Sequence, residues 1–130
     1  MAFSGNFLCT SFKVELMKGV HNFTAASNVF NVALYTNSAS FTAATTAYTS
    51  SNEISGTNYS AKGQALTSVT PTSSSTTAFT DFADEVFSTV TISSVRGALI
   101  FNDAASGDPT VCVLDFGADK AASSGDFTIV

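Results

Sequence analysis

A chain of 130 residues with five Lys and Arg against ten Asp and Glu, net charge −5, has room for one hydrophobic core and not two, since folding at this length hides about two thirds of the extended surface. Charged residues make up 12% and hydrophobic ones 45%, roughly half the usual share of charge; Ser and Thr fill the difference, and their preference for turns and strands points to an all-β or mainly β chain. Twelve Phe and three Tyr exclude a disordered polymer, and the scattered cations Lys13, Lys18, Lys62, Arg96 and Lys120 exclude the clustered positive charge that nucleic acid demands.

A surface so poor in charge and so rich in hydroxyls suits a protein that will be covered, because free solubility normally rests on dense mixed charge. The first nine residues, Met1 to Cys9, have no basic segment and no sustained apolar run, so they do not read as a secretory signal. No apolar run nears the ~20 residues of a bilayer span, so no membrane is expected as a partner. Cys9 and Cys112 are then expected as reduced thiols, and the sequons at Asn22 and Asn58 as chance matches.

The one helical pattern is Thr10–Lys18, with Thr10 or Ser11 able to cap it and Gly19 placed to end it. Phe12 and Leu16, four apart, share a face, and so short a helix needs something to dock on. From Val29 to Tyr35 Phe30, Val32 and Leu34 alternate with Asn31 and Ala33, which predicts a strand with one buried face. Thr36 to Lys62 reads as a long ordered excursion over the surface, anchored by Tyr48, Ile54 and Tyr59, with a short strand near Glu53.

Gln64–Val69 is the next strand, closed by Pro71 and the polar run Thr72–Thr76 as a hairpin or loop. Ala78–Phe82, Glu85–Ile92, Arg96–Asn102, Thr110–Gly117 and Asp126–Val130 follow as further short strands, with turns at 103–109 and 118–125. The sum is a single domain over residues 1–130, a β-sandwich or jelly roll of about seven to eight short antiparallel strands with one short N-terminal helix. The chain stops inside an apolar strand at Val130.

No catalytic constellation emerges, and no enzyme activity or cofactor is expected. His21 is the only histidine; without a Gly-x-Ser-x-Gly elbow it reads as a surface or capping residue rather than a member of a relay. Asp81, Asp84 and Glu85 form the densest carboxylate cluster, and Asn102, Asp103 and Asp108 a looser one. Neither has the alternating loop of a calcium site, so both read as solvated turn carboxylates and no metal is expected. Asp115-Phe116-Gly117 reproduces a kinase tripeptide in a chain lacking every other kinase element. The absence of Trp argues against a sugar-binding cleft.

Several segments together resemble a known group. Ser11-Phe12-Lys13 leads to Gly19-Val20-His21-Asn22-Phe23, followed by Val32 to Ala39, Thr45 to Tyr48 and Asn52 to Tyr59. The likeness continues in Arg96 to Asn102 and Val113 to Gly117, and so covers nearly the whole chain. In these segments the sequence resembles the small virion structural proteins of tailed bacteriophages.

The resemblance implies a decoration or cement protein on the phage head, made in the host cytoplasm and incorporated into the virion. Its implied partners are the major capsid protein and further copies of itself as a dimer or trimer. A tail or head–tail connector component is the alternative, and a receptor- or carbohydrate-binding module a weaker one. Phe12, Leu16, Tyr35, Tyr48 and Tyr59 are the candidate partner contacts. Related sequences carry Gly where this chain has Asn58, a departure that puts a positive-φ turn there in doubt although Asn tolerates that region better than most residues, and they run on into a further apolar segment beyond the Phe-Thr-Ile strand.

Overall fold

The computed structural model describes residues 3–130. With 51% strand and 6% helix the protein is all-β and sandwich-like. The elements run β1 (Phe7–Leu8), α1 (Thr10–Met17), β2 (Phe30–Tyr35), β3 (Gln64–Ala65), β4 (Ser68–Ser74), β5 (Thr77–Phe82), β6 (Glu85–Asn102) and β7 (Thr110–Ile129). Five strands form one antiparallel sheet in the order β1-β7-β6-β2-β3, and β4 and β5 form a separate two-stranded sheet.

The strands are not uniformly short, as the sequence pattern suggests. The segments expected as separate strands at Glu85–Ile92 and Arg96–Asn102 are one strand of 18 residues, and β7 absorbs the expected turn at 118–125 into a strand of 20. The cause is a series of register shifts along the β6–β7 ladder. Between Phe87 and Val90 three residues of β6 oppose two of β7, and the extra one, Thr89, takes φ +52°. Between Ile92 and Val95 the same happens at Ser94, φ +57°. Each such bulge adds one residue to the two-residue period. The inward positions of β6 therefore fall at Phe87, Val90, Ile92 and Val95, all buried. The hydroxyl residues that break the apolar alternation are the ones that keep it in phase.

Beyond Arg96 every residue of β6 to Asn102 is buried, as expected of a central strand covered on both faces. Phe3 lies over Gly97, where an added Cβ would strike the Leu114 carbonyl and the Phe3 ring. On the other side of the ladder, β2 pairs residue for residue from Phe30↔Asn102 to Tyr35↔Gly97.

Residues 36–63 form the ordered excursion that the sequence implies, and they serve as an edge. Where β3 stops, the Ile54 amide donates to the Leu34 carbonyl and Glu53 bridges Tyr35. Where β2 stops, Thr57 and Thr91 exchange both backbone hydrogen bonds. The expected strand at Glu53 is thus an isolated bridge. Asn58 does adopt φ +61°, and its Nδ2 donates to the Thr89 carbonyl at 2.9 Å.

Two local expectations are corrected. The N-cap of α1 is Cys9, with no side-chain cap, and the Ser11 hydroxyl has no partner; instead the Thr10 amide donates to the Ala43 carbonyl at 2.8 Å. Pro71 and the polar run after it do not close the strand: Pro71 lies inside β4, with the turn at Ser75 and Thr76. Pro is tolerated there because the strand belongs to an exposed two-stranded ribbon. Gly19, at φ +75°, ends α1 as expected. Its amide reaches the Leu16 carbonyl and the Val20 amide the Glu15 carbonyl, the paired bonds of a Schellman motif.

Gly97→Ala should destabilise the fold by about 1–3 kcal/mol, because the new methyl meets fixed backbone at Leu114 as well as the buried Phe3 ring. Urea denaturation measures the change, and a midpoint equal to that of the parent would refute the close approach.

Candidate functional site

The sequence analysis offers five candidate contact residues, and the structure separates them into anchors and surface. Tyr35 is fully buried, so its expected role as a surface contact is corrected. Its ring meets Phe41 edge-on at 4.6 Å and its hydroxyl donates to the Thr49 carbonyl at 2.7 Å. Tyr48 and Tyr59 are partly buried and converge on one carboxylate: their hydroxyls donate to Glu53 at 2.6 and 2.8 Å. The Lys62 amide donates to the same carboxylate at 2.8 Å, and the Tyr59 oxygen accepts from the Leu34 amide at 2.8 Å.

Glu53 is therefore the knot that ties the excursion to the sheet. Charge-assisted bonds of this kind are roughly twice as strong as neutral ones. Beside it, Lys62 Nζ lies 2.6 Å from Asp103 and 2.8 Å from Asp108, over the Tyr48 ring. Hydrogen bonding to the two carboxylates raises its pKa. Asp103 and Asp108 of the looser acidic cluster thus clamp the β6–β7 turn to Lys62 at a partly exposed site, rather than standing there as free solvated carboxylates.

His21 also departs from expectation. Its side chain is fully buried rather than on the surface. It lies in an aromatic nest of Phe12, Phe23 and Phe30, the latter two stacked at 4.4 Å. Asn102 Oδ1 accepts from the Ala104 amide, so its Nδ2 faces His21 Nδ1 at 3.2 Å. This network assigns the imidazole proton to Nε2, which donates to Glu15 at 2.8 Å. The same Asn102 nitrogen reaches Asn28. A His joined to a carboxylate has the outline of a relay, but its other nitrogen faces an amide and no hydroxyl or thiol nucleophile. The arrangement fastens α1 to the end of β6.

Both thiols are free. Leu8 pairs with Cys112 in the β1–β7 ladder, so Cys9, one residue on, points to the opposite face. Burial pushes the Cys9 thiol up and holds that of Cys112 at about 12, which leaves neither in the reactive thiolate form at neutral pH. Among the described residues no group of three His, Cys, Asp or Glu could hold a metal ion, and no helix is long and apolar enough to cross a membrane.

What remains open to a partner is apolar. Phe12 is buried, but Leu16, on the face it was expected to share, is 47% exposed. Leu8, which lines a common groove with it, is exposed as well, as are Val14 and Met17 elsewhere on α1. Across from this face stands the β4–β5 ribbon, exposed on both sides and joined to the body by Phe82, which packs on Phe23 and Phe30. Between them runs an apolar groove of about 600 Å³. Phe79, half-exposed on the ribbon, lies at its rim. Sequence reasoning missed Phe79 because a Phe in an alternating strand reads as core. The missing signal was that neither face of its ribbon had an apolar partner set.

Comparisons with protein-family models, with curated proteins and with solved structures find no match to this chain.

Two outcomes follow from the buried clusters. Burial first, and then the bond to Glu53 and its charge, raise the Tyr48 phenol from 10.0 to about 12; burial raises Tyr35 and Tyr59 as well. The unfolded chain releases these protons near pH 10 and the folded chain does not. Their stabilisation is therefore complete below pH 10 and lost as pH rises from there. Absorbance at the tyrosinate band should stay flat above pH 10 until the chain unfolds; a smooth titration of the folded protein at 10 would contradict it. Asn102→Ala removes the donor to both His21 and Asn28, and should cost about 2–3 kcal/mol in chemical denaturation.

Proposed function

We propose that this chain is a bacteriophage virion structural protein, a decoration or cement protein that binds the outer head surface and bridges neighbouring major capsid subunits. The observation that carries this reading is the hydroxyl-rich β4–β5 ribbon, which stands off the body across an apolar groove from the exposed Leu16 of α1. From Ser68 to Thr80 the ribbon has no charged residue. An isolated two-stranded sheet with no core of its own is marginal in water and gains its order from what it touches. The likeness of the sequence to small phage structural proteins supplies the setting.

The physics of the role needs no reaction. A shell around packed DNA is under outward pressure, and many copies of a rigid domain spanning the seams raise the cost of separating subunits. Hydroxyls along the ribbon can bond a partner's backbone while Phe79 and Leu16 fill apolar hollows at the seam. Rigidity comes from the Glu53 knot and the Lys62 clamp. A receptor- or carbohydrate-binding role loses its expected carriers, since Tyr35 is buried and Tyr48 and Tyr59 are engaged by Glu53. A tail or head–tail connector role would use the same ribbon.

Quantitative mass spectrometry of purified virions against the major capsid protein tests the reading. A copy number comparable with that of the capsid protein is expected. A count fitting a single vertex or the tail would move the protein there, and its absence from virions would overturn the proposal.

A further inference from the structure

We propose that His21 is a proton-operated joint: the neutral ring fastens α1 to the end of β6, and the protonated ring stays with Glu15 and lets go of Asn102, freeing α1 and the 20–28 segment together. This is the chain's only histidine, and its side chain has no exposed surface. Its two nitrogens face partners of opposite kind. Nε2 meets a carboxylate oxygen of Glu15 at 2.8 Å, and Nδ1 meets an amide nitrogen, Asn102 Nδ2, at 3.2 Å.

The Asn102 amide is not free to turn round and offer its oxygen instead. Its Oδ1 accepts the backbone N–H of Ala104 at 3.1 Å. Its Nδ2 also donates to Asn28 Oδ1 at 3.2 Å, and that oxygen accepts the backbone N–H of Asn22 at 2.7 Å. A backbone N–H can only donate, so the amides of Ala104 and Asn22 hold the polarity of the network from both ends. A turned Asn102 would set donor against donor at Ala104 and oxygen against oxygen at Asn28. His21 Nδ1 is therefore kept as a lone pair, and a proton added there faces a donor.

Glu15 behaves differently. Its carboxylate accepts Nε2–H from the neutral and the charged ring alike, and holds the charged one more strongly. Among the described residues no second ion competes for the ring. From the β6–β7 turn, Asp103 is turned towards Lys62. Burial keeps the Cys9 thiol, ahead of α1, in its neutral form. Residues 22–29 carry no ionisable side chain. Lys13 and Lys18 of α1 are exposed, as are Asp81 and Asp84 at the base of the ribbon. Phe12, Phe23 and Phe30 offer only their rings. Protonation thus keeps one end of the joint and breaks the other, in the range between pH 5 and 8 where histidine changes charge. Phe12 and Phe23 pack on this ring and also line the groove beside the ribbon, so release of the joint alters the groove's shape. The joint belongs to the fold and does not depend on the virion reading.

The test is a pair of nuclear magnetic resonance measurements on the whole chain from pH 8 to pH 5. The imidazole nitrogens report the tautomer and the charge of one residue, and hydrogen exchange of the α1 amides, corrected for the intrinsic rate at each pH, reports the joint. At pH 8 the ring proton should sit on Nε2. As the ring takes its second proton, protection of α1 should fall about fivefold or more, the effect of losing one buried hydrogen bond. In His21→Gln the protection should be the same at both ends of the range. Asn102→Asp keeps the oxygen for Ala104 and supplies an acceptor for Nδ1–H, so in that variant acid should no longer loosen α1; it keeps the test valid if His21→Gln does not fold. A proton on Nδ1 at pH 8, a ring still neutral at pH 5, or a ring that charges while α1 stays protected overturns the proposal. An equal loss in either variant overturns it too, by placing the acid response on another group.

Discussion

The β6–β7 ladder is the constraint on which the rest of the molecule is arranged. Its strands of 18 and 20 residues could not stay straight and still present one apolar face, because long strands twist. The register shifts resolve the conflict locally: Thr89, Ser94 and Ser124 take the left-handed conformation at φ +52°, +57° and +47°. Each bends the ribbon and restores the phase of the next apolar residue. β1, β2 and α1 attach to this hairpin directly and β3 through β2, while the β4–β5 ribbon forms its own sheet. β2 and the excursion line the outer edge of β6, β1 touches β7, and α1 is fastened to the end of β6 through His21 and Asn102.

With so few charges, the ones buried or half-buried in the structure act as joints. Glu53 gathers two phenols and a backbone amide, and Lys62 gathers two turn carboxylates. These contacts are directional in a way that apolar packing is not, and they fix where a long segment without regular structure lies. A chain that left the same span to Ser and Thr alone would have no single register for it. The molecule thus uses two of its few ions to tie the excursion down, and leaves its projecting ribbon uncharged from Ser68 to Thr80.

Much of the fold was legible. Alternation located β2 and β5 almost to the residue, Gly19 marked the end of α1, and composition fixed the all-β class. The errors share one physical cause. Ser88, Ser93 and the polar 118–125 stretch look like breaks to a strict two-residue period, yet they lie within continuous strands because a bulge shifts the period instead of ending it. At the candidate site the limit was different. Sequence spacing ranks Tyr by chemistry and says nothing of burial, so it offers buried Tyr35 as a contact and passes over half-exposed Phe79. His21 was misplaced for the same reason, since its partners Glu15 and Asn102 are brought together only by the fold.

The outer side of β7 has its own consequence. β1 pairs with it only at Cys112 and Val113, and among the described residues no strand pairs with that side from Asp115 onward. A bare run of backbone donors and acceptors invites any extended chain to add to the sheet. Here the run is interrupted by the irregular register and carries Asp115, Asp119, Lys120 and Asp126, four of the chain's fifteen charges. An exposed margin kept kinked and charged discourages uncontrolled strand addition, so copies crowded together at high local concentration remain discrete units and do not zip into fibres.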